Sequence, residues 1–249
     1  MAKIDGFRIR NFRTLRDVTL GRLWNEKGSG ELTPMTAVIG KNGSGKSTLF
    51  DAFGFLSDCL KLGVEEACDS KGRGGFDRII SQGVNEPIMF EIYYRESPNE
   101  LPMTYEVAFA IDNHNRPYVK SERLRQRREG QKSTGRPFSL LILEDGRGLV
   151  WKGEYEGVKE ETGKFDLDKL MREESNEREV VELEDNRKLG IATLGALKQH
   201  PRISLFRQFI EGWYLSYFRP DSARELSLAG PQKHLNRYGD NIGKLLFNL

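Results

Sequence analysis

Gly40-Lys41-Asn42-Gly43-Ser44-Gly45-Lys46-Ser47-Thr48 constrains this chain more than any other stretch. Glycines at 40, 43 and 45 permit a backbone turn too tight for residues that carry a Cβ. Before the turn, Met35 to Ile39 is a short apolar run that predicts a buried strand. After it, Leu49, Phe53, Leu56 and Leu60 recur at helical spacing and predict a helix over 46–61. Strand, glycine loop and helix in that order make a cradle. Its successive N–H groups, from Asn42 to Ser47, converge on an anion, and the helix adds its positive end. The spacing G-x-x-x-x-G-K-[ST] is that of a phosphate-binding loop. The candidate binding residues are therefore Gly40, Asn42, Gly43, Ser44, Gly45, Lys46, Ser47 and Thr48. Lys46 is expected to neutralise the β- and γ-phosphates of ATP, and the Ser47 hydroxyl to ligate Mg²⁺.

Around this loop the pattern changes from helical to alternating. Phe7 to Arg10 alternates apolar and basic residues like an edge strand, and a second short strand is expected at Val18 to Leu20. Ile88-Phe90-Ile92-Tyr94 and Tyr105-Val107-Phe109-Ile111 alternate cleanly and predict two antiparallel strands. Phe138 to Leu143 and Leu149 to Lys152, joined through Asp145-Gly146, predict a hairpin, because Asp-Gly tolerates the positive φ of a tight turn. Residues 154–188 read as helical or disordered. Ile203, Phe206, Ile210 and Trp213 mark an amphipathic helix ending near Gly212, and Tyr214 to Phe218 predicts a strand stopped by Pro220.

Charge narrows the partners. Lys plus Arg number 39 against 37 Asp plus Glu, a net +2 that makes no global case for nucleic acid. The charge is blocked along the chain. Residues 116–136 carry eight basic side chains against Glu122 and Glu129, whereas residues 154–188 carry 13 acidic and 7 basic ones. Such blocks are usually solvated arms or exposed helix faces, and otherwise partner surfaces. The basic block lacks the interleaved aromatics that stack bases. Two cysteines, Cys59 and Cys68, make no disulfide framework, and three histidines beside them give no zinc spacing. With no signal-peptide pattern and no 20-residue apolar span, a cytoplasmic, non-membrane protein is expected.

The surroundings of the loop sort the phosphate-binding classes. Small-molecule kinases generally begin at the loop strand, yet here 34 residues precede it. Signalling GTPases need an Asn-Lys-x-Asp reader, and none occurs; Asp69-Ser70-Lys71-Gly72 matches D-x-x-G by composition alone. The chain resembles the predicted ATPases of the RecF and structural-maintenance-of-chromosomes type, within the ABC-type ATPase superfamily. The resemblance rests on Ile9-Arg10-Asn11-Phe12-Arg13, on Gly40 to Thr48, on Gly74 to Gly83, and on Trp213 to Pro220 followed by Leu235 to Ile242.

That resemblance implies an α/β fold: a P-loop NTPase core (the N-terminal lobe of an ABC-type head) with an antiparallel β layer and a charged helical insertion. It implies a nucleotide-binding lobe at 1–85, the β layer at 86–153, the insertion at 154–212, and a return strand with the start of a lid at 213–249. Asn11 and Arg13 would lie beside the nucleotide. Gln82 is the candidate Q-loop glutamine that touches Mg²⁺ and senses the γ-phosphate; a surface-turn glutamine is the alternative, and the sequence leaves both open.

Several elements of such heads have no convincing counterpart. Leu226 to Gln232 resembles an LSGGQ segment, but Pro231 would prevent the helix its serine should cap. Leu140 to Asp145 resembles a Walker B strand, but Asp145-Gly146 fits a hairpin turn better. The chain thus reads as the N-terminal half of a longer ATPase. It is expected to bind ATP without appreciable turnover until a second half and a second head, in a homodimer or paired head, complete the site. DNA repair, chromosome maintenance or phage defence is the implied setting, with DNA or a nuclease as possible partner. The alternative is a non-hydrolysing nucleotide-binding module that regulates a nuclease or other partner.

Overall fold

A computed structural model of the chain describes residues 2–24, 30–126, 138–152, 178–213 and 241–242. The chain divides into two units, residues 1–211 and 212–249. In the first, eight strands form one sheet: β1 (Lys3–Phe12), β2 (Leu15–Gly21), β3 (Ile88–Arg95), β4 (Met103–Ile111), β5 (Pro117–Gln126), β6 (Phe138–Glu144), β7 (Arg147–Trp151) and β8 (Arg178–Glu182). Their order is β2-β1-β3-β4-β5-β6-β7-β8, and every neighbouring pair is antiparallel. The described helices are α1 (Lys46–Leu62), α2 (Val64–Asp69), α3 (Phe76–Ile79), α4 (Gly190–Leu194) and α5 (Pro201–Glu211).

The period-2 alternation of the strands decides which face the helices cover. Facing residues Ile9, Phe90, Val107, Glu122 and Leu143 make one row across five strands, and Phe7, Ile92, Tyr105 and Leu124 make the next. Helix α1 lies on this face. Phe53 packs edge-on against Phe7 with centroids 4.8 Å apart, and Phe55 meets Phe12 at 5.6 Å and Phe109 at 5.3 Å. Helix α5 covers the same face, with Phe206 at 4.9 Å from Tyr105 and Phe209 at 4.4 Å from Tyr94. Each aromatic pair of this kind adds about 0.5–1.5 kcal/mol beyond its buried area. The opposite face carries the other parity, with Arg8, Glu91, Glu106 and Arg123 in register across β1, β3, β4 and β5. There Arg8 grips Asp17 at 2.7 and 2.6 Å, and Arg125 reaches Glu106 at 2.8 Å.

Much of this follows the sequence reading. The helix at 46–61, the strands at 88–94 and 105–111, and the amphipathic helix ending near Gly212 are present. So is the hairpin: Asp145 and Gly146, with φ of 49° and 82°, form the turn between β6 and β7. Leu140 to Asp145 is accordingly a hairpin strand and its turn, not a Walker B strand.

Three readings are corrected. Met35 to Ile39 is not a buried strand: among the described residues it pairs with no strand, and Met35 and Ile39 are 91% and 93% exposed. A strand needs a neighbour to satisfy its backbone, and the eight described strands offer this segment none. Within the stretch expected to be helical or disordered, Arg178–Glu182 is instead β8, which takes its partner from β7 and pairs Arg147 with Glu182 at 3.2 Å and Lys152 with Glu179 at 3.2 Å. The described half of the basic block is no solvated arm either, because Arg123 and Arg125 belong to β5. The expected strand at 214–218 and the segments 226–232 and 235–240 lie outside the described residues.

Candidate functional site

Helix α1 begins where the glycine loop ends, and Gly45 makes the junction. Its φ of 89° is left-handed, and a Cβ there would come within 3.2 Å of Leu15 Cδ2 and 3.4 Å of Thr14 Oγ1. A side chain at 45 would therefore be both strained and crowded. No side chain caps the helix, and its first turn holds no acidic residue. The N-terminal N–H groups and the positive helix end are thus left for an outside anion.

Lys46 restrains the loop it closes. Its ammonium donates to the carbonyl oxygens of Gly40 at 2.6 Å and Lys41 at 2.8 Å. An ammonium has three donors, so one N–H and the full charge remain for a ligand. Within the loop, Ser44 N–H donates to the Lys41 carbonyl at 3.2 Å, and Gly43 takes φ of 80°. Asn42, Gly43, Ser44 and Ser47 are exposed, while Lys46 and Thr48 are half-buried. The donor set fits phosphate, and the exposed Ser47 hydroxyl fits a divalent cation held together with phosphate. Among the described residues no cluster of three His, Cys, Asp or Glu could hold a metal on its own.

The β1–β2 turn packs against this loop through Thr14 and Leu15. Asn11 and Arg13 both adopt left-handed backbone, φ 58° and 50°. Asn11 is buried and its amide donates to the Pro87 carbonyl at 3.0 Å, so its side chain is occupied in joining the turn to the start of β3. Arg13 N–H donates to the Ile79 carbonyl at 2.7 Å, and its carbonyl accepts from Ser81 Oγ at 2.7 Å. The Arg13 side chain forms an ion pair with Asp51 of α1 at 3.0 Å. Gln82 is exposed; its carbonyl accepts from Arg16 Nη2 at 3.1 Å. Backbone bonds and an ion pair thus join Arg13 to the 79–81 stretch and to Asp51 of α1.

Three participants escaped the sequence reading: Asp51, Arg73 and Asp58. Asp51 stands four residues after Ser47 and so shares its helix face, a spacing that could have marked it. Arg73 is fully buried; it donates to Asp51 at 3.1 Å, Asp58 at 2.7 Å, the Ala67 carbonyl at 2.9 Å and Ser70 Oγ at 2.8 Å. Nothing in the local pattern marks an arginine before Gly74-Gly75 as buried.

Residues 35–245 match the family model described as "AAA domain, putative AbiEii toxin, Type IV TA system". No curated protein matches the chain. None of the described helices is long and apolar enough to cross a membrane.

Proposed function

The chain belongs to this AAA-domain family of P-loop ATPases, and on that premise we propose that it is the Mg²⁺-ATP-binding half of an ABC-type, RecF/SMC-like ATPase head. The observation that carries the reading is the Lys46 bridge to Gly40 and Lys41 at the uncapped start of α1, which leaves one ammonium donor and its charge over. In this reading the loop amides and Lys46 hold the β- and γ-phosphates, Ser47 supplies a ligand to Mg²⁺, and Arg13 lies beside the nucleotide. Gln82, on the stretch bonded to the β1–β2 turn, reaches the metal once nucleotide is present.

Hydrolysis needs more than this cradle. It needs a group that orients water and a charge that stabilises the transferring phosphoryl group, and one such element changes rates by about 10³ to 10⁵ in P-loop enzymes. The exposure of Met35 and Ile39 supports a completing half whose strands pair with the 35–39 segment. A second head then closes on the nucleotide. The family's description adds a toxin–antitoxin setting to the DNA repair, chromosome maintenance and phage-defence settings implied by resemblance, with DNA or a nuclease as partner.

The test is phosphate release by the 249-residue protein at saturating Mg²⁺-ATP. Binding with negligible turnover is expected. Turnover at about 1 s⁻¹ or above that is abolished by Glu144→Gln would contradict the reading and restore Leu140 to Asp145 as a catalytic strand.

A further inference from the structure

The ion pairs along α1 do not follow from the phosphate site itself. Ser47, Asp51, Phe55 and Asp58 form one stripe of the helix. Arg73 lies along it: its guanidinium sits 5.6 Å from the Phe55 ring and bridges Asp51 on one side and Asp58 on the other. Lys71 adds a second contact to Asp58 at 2.8 Å. With its side chain 1% exposed, Arg73 is held by four acceptors through Nε and Nη1. Asp51 Oδ1 accepts from Arg73, while Oδ2, which makes no hydrogen bond among the described residues, lies 3.0 Å from Arg13 Nη1 as a charge contact.

Arg13 is therefore held at both ends. Its backbone is held in a left-handed conformation by Ile79 and Ser81, and its guanidinium is paired by charge with Asp51. Yet this side chain is 32% exposed, and ion pairs at such sites contribute little to stability. The neighbouring residue, Thr14, lies close to the loop: a Cβ at Gly45 would come within 3.4 Å of its Oγ1. Fixing a half-exposed cation next to an anion cradle reduces the ordering cost when the anion arrives.

We infer that Asp51, itself held by Arg73, is a positioning residue that fixes the Arg13 guanidinium beside the phosphate loop. The inference rests on the proposed nucleotide site, and it predicts that Arg13 and Asp51 act as one unit. Calorimetric titration with Mg²⁺-ATP of the wild type, Arg13→Ala, Asp51→Asn and the double variant reads this directly. Asp51→Asn is expected to weaken binding about tenfold, and the double variant to be no weaker than Arg13→Ala alone. Additive losses, or an unchanged Asp51→Asn, would overturn it. The Asn amide oxygen can still accept from Arg73; if that variant nonetheless fails to fold, Asp51→Glu, which keeps the charge but displaces it, should give a smaller loss that again vanishes when Arg13 is Ala.

A second readout does not need nucleotide. The Arg13 Nη–H resonances in ¹⁵N NMR should be resolved and slow to exchange in the wild type, because Nη1 is the atom paired with Asp51, and averaged in Asp51→Asn. If the wild type binds no Mg²⁺-ATP, the functional reading fails while these resonances still decide the positioning: an averaged Arg13 signal in the wild type overturns it.

Discussion

Lys46 Nζ lies 2.6 Å from the carbonyl oxygen of Gly40, six residues earlier in the chain, and this one bond ties the end of the loop to its beginning. The loop is consequently shaped before any ligand arrives. Preorganisation of this kind means that affinity is gained from the ligand's charge with little lost to ordering the protein.

Gly45 gives the sharpest test of loop shape. An alanine there must hold φ near 89° with its Cβ 3.2 Å from Leu15 Cδ2. Gly45→Ala is expected to cost about 1–2 kcal/mol of stability through left-handed strain and to weaken Mg²⁺-ATP binding by more than tenfold. Urea unfolding and calorimetry check the two effects separately.

The exposed segment before the loop behaves as surface in this chain. Ile39→Asp is expected to change unfolding free energy by less than about 0.5 kcal/mol, the range of surface substitutions, because Ile39 is 93% exposed. A loss of several kcal/mol in chemical denaturation would mean that the segment is packed after all.

How much of this was legible in the sequence depends on the range of the interactions. The glycine loop and its helix are local: spacing alone places Gly40 to Thr48 and the apolar stripe of α1. The Asp145-Gly146 hairpin is local as well. The fate of Met35 to Ile39 is not, since an apolar run becomes a buried strand only if another strand lies beside it. Strand β5 was hidden because its alternation carries Arg123 and Arg125 on the outward face, so that the stretch reads as a charge block. Arg73 was hidden because its partners, Asp51 and Asp58, are 22 and 15 residues away.

By sequence Glu122 is only a member of that charge block, yet it is buried on the inner face of the sheet beneath α4. Its carboxylate accepts from Tyr105 Oη at 2.9 Å, from Ile191 N–H at 3.0 Å and from Gly190 N–H. Burial outweighs these donors and pushes the carboxyl up from 4.5 to about 7. Because the folded protein holds this proton more tightly than the unfolded chain, Glu122's contribution to stability is full below pH 4.5 and is lost as pH rises to about 7. The difference of about 2.5 pH units corresponds to about 3 kcal/mol. Urea midpoints measured from pH 4.5 to 8 should fall for the wild type, and Glu122→Gln should remove that component of the slope. Parallel pH profiles for the two proteins would contradict the assignment.

Calorimetric titration of the wild type and Lys46→Ala with Mg²⁺-ATP tests the central claim most directly. Lys46 makes its two described hydrogen bonds to its own loop and is half-buried, so the alanine variant should fold with an unchanged far-UV circular dichroism spectrum. One ATP bound per wild-type chain, with binding lost in Lys46→Ala, is the expected result. Absence of binding by the wild type, or equal affinity in the variant, would mean that Gly40 to Thr48 is not a nucleotide site.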